Sequence, residues 1–238
     1  MVVLKGVKLS DVSKISISLI LGGFVIIGVS FYFFAELAEE VMEKEPLIID
    51  KLAINMMNNI QQAWLGNAFG MITEAGSVLW LSIASGLLLV YLLFISDKSK
   101  WVSVYFLVNM LGISLLTKVL KLAFERKRPD ILEKYDGTGF SFPSGHSTGA
   151  IVFYGFVIYI VFITNMKSSV KWILNSFLGL LILLVGLSRV YVGVHYFSDI
   201  LAGFSFGLAW LLICILALEV TLWRQQRRQK KKQEALFS

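Results

Sequence analysis

Two histidines, His146 and His195, lie beside residues that suit nucleophilic or acid–base chemistry. His195 and Asp199 are four residues apart, so on a helix they share one face and the carboxylate can accept a hydrogen bond from one ring nitrogen. The other ring nitrogen is then unprotonated, as a nucleophile or general base requires. His146 can exchange a proton near neutral pH. A purely structural pair between Arg189 and Asp199 is the alternative.

Cationic side chains flank both histidines and suit an anionic ligand such as phosphate. Lys121 and Arg128 are seven residues apart, nearly two helical turns, so we expect both to face one way. Pro129 then disfavours helix at Arg128 and turns the chain. Arg189 adds a third cation before His195. An arginine offers phosphate oxygens a planar fork and a lysine offers a point charge, although a basic collar at the end of a membrane helix would look similar.

The turn before His146 supplies donors of another kind. Pro143, Ser144 and Gly145 precede a predicted helix, and backbone N–H groups at a helix N-terminus favour an anion. The Ser144 hydroxyl is a further donor. The pattern indicates a phosphate-binding turn, with a helix cap beside an incidental histidine as the alternative.

Membrane helices are the elements that must position these residues. The composition is 57% hydrophobic and only 16% charged, with too little charge to cover a water-soluble domain. Six continuous apolar stretches have the length of about 20 residues that a membrane helix needs. We therefore predict a single all-α domain over residues 1–238, a bundle of six membrane-spanning helices. The predicted spans are 15–35, 74–96, 101–120, 147–165, 172–191 and 197–221.

The basic residues predict the orientation of this bundle. Of the 22 basic residues, 13 lie in the N-terminus, the loops 97–100 and 165–171, and the tail 222–238. Basic residues concentrate on the cytoplasmic side, so we expect both termini there and the histidines at the extracytoplasmic ends of their helices. The basic tail is expected to contact anionic membrane lipids rather than nucleic acid.

The chain between the first two spans is expected on the extracytoplasmic side. Pro46 breaks any helix after an acidic start. Residues 50–69 then mix apolar and amide side chains, which predicts an amphipathic helix in the outer membrane interface. A connector packed on the bundle is the alternative. The lone Cys214 excludes a disulfide framework, and we expect neither a metal site nor another cofactor.

The polar segments carry the three-part signature of the type 2 phosphatidic acid phosphatase family, which this chain resembles. Lys121…Arg128-Pro129 matches K-x6-R-P, Pro143-Ser144-Gly145-His146 matches P-S-G-H, and Ser188-Arg189…His195…Asp199 matches S-R-x5-H-x3-D. These motifs occupy residues 121–199, and the six-helix layout extends the resemblance over most of the chain. A weaker similarity is the Thr73 to Ser77 segment at the start of the second span.

The resemblance implies a role for each residue of the site. His195 would attack phosphorus and form a phosphohistidine, Asp199 would orient it, and His146 would protonate the leaving oxygen and then activate water. The resemblance also implies a set of residues that hold the phosphoryl oxygens: Lys121, Arg128, Ser144, Gly145 and Arg189. Such a site needs positioning and charge stabilisation above all, which three cations can provide without a metal.

The size of the chain resembles bacterial members of this family, which act on phosphatidylglycerophosphate or undecaprenyl pyrophosphate. We expect the first as substrate and keep the second as the alternative. Residues 126–142 and the 50–69 helix are expected to shape a headgroup pocket, with Arg126, Lys127 and Asp136 as candidates or as solvated loop charges. A transporter would need polar residues along a path through the midplane, and the predicted spans contain few of them. A scaffold protein would not require two oriented histidines. Vanadate-dependent haloperoxidases have a similar site but are soluble proteins, which the six predicted spans argue against.

Overall fold

The computed structural model of the protein describes residues 14–43, 47–129, 135 and 138–236, and its architecture there is all-α. A π-helical turn, Tyr91–Ile95, continues the fourth helix. The α-helices in this part of the chain are α1 (Lys14–Met42), α2 (Ile48–Asn59), α3 (Ala63–Glu74), α4 (Val78–Val90), α5 (Lys100–Phe124), α6 (Gly145–Phe162), α7 (Ser168–Tyr191) and α8 (Phe197–Leu236).

Within these described ranges, six helices are long and apolar enough to cross a membrane: α1, α4 with its π-turn, α5, α6, α7 and α8. Their outer faces expose large apolar side chains such as Phe24, Phe94 and Trp172, which suits contact with lipid. The six-span prediction is therefore confirmed. The sixth helix differs in length, because α8 continues through the basic tail to Leu236. Arginine, glutamine and lysine favour a helix even where they are too polar for a membrane.

Serine side chains cap three of the membrane helices at their N-termini. Ser77, Ser99 and Ser144 each accept a hydrogen bond from a backbone N–H two or three residues later. Such a bond satisfies a donor that the first turn of a helix leaves without an intrahelical partner. In an apolar surrounding, this sets where each helix begins.

Helices α6 and α8 cross at the centre of the bundle because two glycines of α8 allow close approach. A Cβ atom at Gly203 would lie 2.8 Å from the backbone oxygen of Ser144, and one at Gly207 would lie 2.5 Å from a side-chain carbon of Ile151. Small residues four apart are typical of membrane helices whose backbones touch. The contact holds the start of α6 against the first turns of α8.

The segment between the first two spans forms two helices, so the prediction of one helix over 50–69 is wrong. The chain leaves helical geometry between α2 and α3, where the backbone N–H of Gln62 donates to the Tyr191 hydroxyl at 3.1 Å. The Phe69 ring stacks on Tyr191 at 4.5 Å between centroids. Helix α3 therefore packs on α7, while α2 also exposes Leu52 and Met56. Pro46 lies outside the described residues.

Replacing Gly203 by valine should separate α6 from α8 at their crossing. We expect a loss of about 1–3 kcal/mol in unfolding free energy, the usual cost of overpacking, measured as a lower thermal midpoint in detergent. The matched control is Gly179→Val, because a Cβ atom at Gly179 of α7 meets nothing within 4 Å. Equal losses in the two variants would contradict the close crossing.

Candidate active site

The His195–Asp199 pair forms as predicted, but on a capped turn rather than along a helix face. Helix α7 ends at Tyr191 and α8 begins at Phe197, so His195 precedes the helix that carries Asp199. The His195 Nδ1 atom lies 3.2 Å from Asp199 Oδ2. The same oxygen accepts the backbone N–H of Tyr196 at 3.0 Å, which is the return bond of a capping box. The helix start therefore orients the carboxylate toward the ring.

Arg128 approaches the other side of the His195 ring. Its Nη1 atom lies 3.0 Å from His195 Nε2. Helix α5 ends at Phe124, and Glu125 adopts a left-handed conformation with φ of 46°, so Arg128 lies beyond the helix. The expectation that Lys121 and Arg128 share a helix face is therefore wrong. They are brought together by the turn after α5, where both donate to the backbone oxygen of Phe140.

The surroundings of His195 favour a neutral ring whose Nε2 lone pair points at the cations. A carboxylate beside Nδ1 and a guanidinium beside Nε2 both select the tautomer with the proton on Nδ1. Burial lowers the pKa of His195 to about 3, because desolvation of the charged ring outweighs the opposing effect of Asp199. The neutral form therefore persists as pH falls through the ordinary range of a histidine, and the ring remains a competent nucleophile.

The turn before α6, Pro143 to Gly145, is held by aromatic packing. Phe142 is fully buried, with its ring 5.0 Å from that of Phe124 and 5.8 Å from that of Phe34. These contacts fix the start of α6, where Ser144 is the N-cap and accepts from the Ser147 hydroxyl at 3.0 Å. Gly145 begins the helix, so its backbone N–H belongs to the first turn, whose N–H groups suit an anion.

His146 lies in the first turn of α6 and faces the same point as the cations. Its side chain is buried, and Lys121, Arg128 and Arg189 are all close enough to act on it electrostatically. A Cβ atom at Gly76 would lie 2.4 Å from a side-chain carbon of Val185 and 3.2 Å from the His146 ring, so any side chain there would displace one of them. This explains the glycine in the weaker motif at the start of the second span.

Arg189 is buried at the end of α7 and is held by two other segments. Its Nη1 atom donates to the Thr73 hydroxyl at 2.9 Å, and its Nη2 atom donates to the backbone oxygen of Tyr135 at 2.6 Å. Thr73 lies in the last turn of α3 and is the first residue of the weaker motif, Thr73 to Ser77. The structure thus brings together the residues that the three motifs predicted, from α5, α6, α7 and α8 and from the turns beside them.

Two further residues of this site were not predicted in their observed places. Arg126 was expected at a headgroup pocket, but it forms an ion pair with Asp199 and another with Asp50 of α2. Nothing in the spacing of the motifs indicates Asp50, which stands next to Lys51 in a helix that mixes apolar and polar residues. Lys127 is exposed, and Asp136 lies outside the described residues.

Two cavities reach His195 within the described part of the chain. The first, the apolar groove, has a volume of about 560 Å³ and runs between α4 and α5 to Lys121 and His146. Its lining includes exposed residues such as Leu111, so it opens on the lipid-facing surface. The second, the polar cavity, has a volume of about 530 Å³. Its lining includes polar side chains of the α2–α3 region and of α7: Asn58, Gln61, Gln62 and Tyr191.

The described residues contain no group of three or more His, Cys, Asp or Glu side chains that could hold a metal ion. The carboxylates near the site, Asp50 and Asp199, both pair with Arg126. The ligands available to an anion are therefore cations, a hydroxyl and backbone N–H groups.

Comparison with known proteins shows which family the chain belongs to. The PAP2 superfamily model matches residues 102–223. The chain is 34% identical over 188 residues to phosphatidylglycerophosphatase B of Bacillus subtilis (strain 168), covering 75% of this chain and 87% of that protein. It is 27% identical over 178 residues to an undecaprenyl-diphosphatase of Sulfolobus acidocaldarius, covering 70% and 76% of the two chains.

A solved structure extends the similarity to the fold. It is a transmembrane PAP2-type phosphatidylglycerolphosphate phosphatase from Bacillus subtilis, with a TM-score of 0.70 and 31% identity, covering 81% of this chain and 96% of that chain. The chain therefore belongs to the PAP2 superfamily, and it is a multi-pass membrane phosphatase.

Replacing Thr73 by valine should weaken phosphate binding, because it removes the hydroxyl that holds Arg189. We expect kcat/KM for phosphate release from a lipid phosphate to fall roughly 10- to 100-fold, which corresponds to about 1.5–3 kcal/mol for a hydrogen bond to a charged group. The control is Thr164→Val, which removes a hydroxyl that bonds only within its own chain segment near the end of α6. Unchanged kcat/KM in Thr73→Val would contradict this role.

Proposed function

We propose that this enzyme dephosphorylates phosphatidylglycerophosphate to phosphatidylglycerol through a phosphohistidine on His195. The observation that carries the proposal is the position of His195 Nε2. It faces Arg128 at one end of the apolar groove, with the Nδ1 atom held by Asp199. A phosphate bound there has its nucleophile and its cations in place, and the groove offers space for the acyl chains of a lipid.

The first chemical step forms a bond between His195 Nε2 and phosphorus. The bond from phosphorus to the lipid oxygen breaks, and a protonated His146 donates its proton to that oxygen. The negative charge of the bound substrate favours this protonated form. Asp199 stabilises the positive charge that the phosphorylated ring acquires, since it already accepts from Nδ1.

The second step returns the enzyme to its starting state. The now neutral His146 takes a proton from water, whose oxygen attacks phosphorus. The phosphorus–nitrogen bond breaks, inorganic phosphate leaves, and His195 is neutral again. Lys121, Arg128 and Arg189, with the Ser144 hydroxyl and the Gly145 N–H, hold the phosphoryl oxygens through both steps. We propose that these five groups make the reaction independent of a metal ion.

The choice of lipid rests on the relatives and remains part of the proposal. The Bacillus subtilis relative is named for phosphatidylglycerophosphate and is similar over most of both chains. Undecaprenyl pyrophosphate is the second candidate, because the Sulfolobus acidocaldarius relative is an undecaprenyl-diphosphatase. Both lipids present a terminal phosphate on an apolar anchor, so the same cations and the same groove serve either one.

Purified enzyme in detergent with EDTA should release phosphate from phosphatidylglycerophosphate faster than from phosphatidic acid or undecaprenyl pyrophosphate. His195→Ala should lower kcat by at least about 10⁴-fold, since loss of the nucleophile leaves only binding and electrostatic stabilisation. A 32P-labelled, acid-labile and base-stable protein adduct should appear with labelled substrate and disappear in His195→Ala. Full activity of this variant would refute the mechanism. Faster turnover of undecaprenyl pyrophosphate than of phosphatidylglycerophosphate would make undecaprenyl pyrophosphate the preferred substrate instead.

We also propose that both termini are cytoplasmic and the site is extracytoplasmic. The concentration of basic residues at the end of the bundle opposite the histidines supports this orientation.

Intact spheroplasts should therefore hydrolyse an added short-chain phosphatidylglycerophosphate without detergent. In the same cells, a tag fused after Ser238 should resist external protease until the membrane is permeabilised. Sealed inverted vesicles are the matched comparison. Activity found only in these vesicles would show that the site is cytoplasmic, opposite to the proposed orientation.

A further inference from the structure

We propose that Arg126 and Asp50 are positioning residues that hold Asp199 and set the charge facing His195, which links helix α2 to the nucleophile. The inference deepens the proposed function, since it concerns the ring that would attack phosphorus. Asp199 accepts hydrogen bonds at both of its carboxylate oxygens. Oxygen Oδ2 accepts from the His195 ring and from the Tyr196 backbone, and oxygen Oδ1 accepts from Arg126 Nη1. Both carboxylate oxygens are thus engaged, so the side chain cannot turn without losing a partner.

Arg126 is itself fixed by a second carboxylate. Its Nη2 atom lies 2.8 Å from Asp50 Oδ2, and its guanidinium lies 4.2 Å from the centre of the Tyr196 ring. Its Nη1 atom also donates to the Ser198 hydroxyl at 2.7 Å. A planar guanidinium held by ion pairs, a hydroxyl and an aromatic ring has one orientation, which a lysine could not reproduce in full.

Asp50 ties this arrangement to the helix that borders the polar cavity. Its side chain is buried in α2 and accepts from both the backbone N–H and the hydroxyl of Ser198, each at 2.8 Å. Ser198 lies in the first turn of α8, directly before Asp199. A movement of α2 would therefore pull on the same turn of α8 that orients His195.

The charges of the three residues have a consequence for His195. Two carboxylates and one guanidinium leave a single net negative charge, enough to stabilise a positively charged phosphohistidine. Without Arg126, the Asp199 carboxylate beside the ring would lose its compensating cation and would raise the pKa of His195, since an opposite charge nearby favours the charged form. The resting ring would then be protonated at higher pH and would lose its nucleophilic lone pair.

Other titratable and charged groups also face His195, and they remain in the Arg126 and Asp50 variants. They come from α6, from the segment after α5 and from α7: His146, Arg128 and Arg189. Their contributions are common to wild type and variants, so a change in the titration of His195 reports the loss of Arg126 or Asp50.

A purely structural ion pair predicts something different. Breaking a buried pair destabilises a protein because it leaves an uncompensated charge. A variant that is merely less stable has fewer folded molecules, but the His195 ring in those molecules titrates as in wild type. The titration of the ring therefore separates positioning from stability.

The experiment follows the ring nitrogens of the two histidines in detergent-solubilised protein labelled with 15N-histidine. His146→Gln assigns the signals, since only His195 then remains. In wild type we expect a neutral His195 ring, with the proton on Nδ1, from pH 8 to about pH 5. In Arg126→Gln we expect protonation to appear within that range. An unchanged His195 signal in folded Arg126→Gln would overturn the inference.

Asp50→Asn serves as the second variant, because it keeps the shape of the side chain and removes its charge. In Asp50→Asn, the His195 ring should remain neutral across the same pH range as in wild type. The kcat for phosphate release should fall several-fold, while KM stays within about twofold of the wild-type value. The matched control is Glu125→Gln, which removes an exposed carboxylate beside Arg126 and should leave kcat, KM and the ring signals unchanged. An equal loss of kcat in this control, or none in Asp50→Asn, would contradict the role of Asp50.

The activity profile provides the remaining test. Arg126→Gln should lose kcat/KM preferentially at low pH and recover part of it at pH 8 to 9, and Arg126→Lys should restore part of the low-pH activity. A loss equal at all pH values would favour a structural role and overturn the inference. If wild type hydrolyses no lipid phosphate, the proposed function fails, but the ring titration still decides whether Arg126 and Asp50 control His195.

Discussion

A buried carboxylate that must keep all of its partners is the constraint on which this site depends. Asp199 is fully buried, and burying a charge is costly unless it is paired and hydrogen-bonded. Its partners come from the turn before α8, from the segment after α5 and, through Arg126, from α2. Satisfying this one side chain therefore joins three segments and orients the His195 ring. Stability at this end of the bundle and the geometry of the nucleophile have the same physical origin.

The polar site lies at the ends of apolar helices for a related reason. Charged side chains are expensive within a bilayer, so they gather where helices end and turns begin. Helix ends also present N–H groups that bind an anion, and the start of α6 provides them beside His146. The close crossing of α6 and α8 at Gly203 brings this helix start within reach of Asp199, whose backbone oxygen accepts from Ser144. Close packing of small residues is thus what lets these polar residues form a compact site.

The meeting of the apolar groove with the cations suits a substrate that is part lipid and part anion. The groove runs between α4 and α5 and opens among lipid-facing side chains, so acyl chains need not leave an apolar surrounding. Under the proposed function, the phosphate end would meet Lys121 and Arg128 at the inner end of the groove. The polar cavity lies on the α2–α3 side of His195 and is a second space that borders the ring.

The sequence alone determined the spans, their order and the residues of the three motifs, because hydrophobic length and short spacings are local properties of a chain. It also placed the histidines at one end of the bundle. Tertiary structure decided how these residues meet: Arg128 reaches His195 from beyond the end of α5, and His195 stands on a turn rather than on α8. It decided the break between α2 and α3 as well, through the contact of Gln62 with Tyr191. The pairing of Asp50 with Arg126 joins residues 76 positions apart, and no local pattern could predict it, since the partner of a buried charge is set by packing.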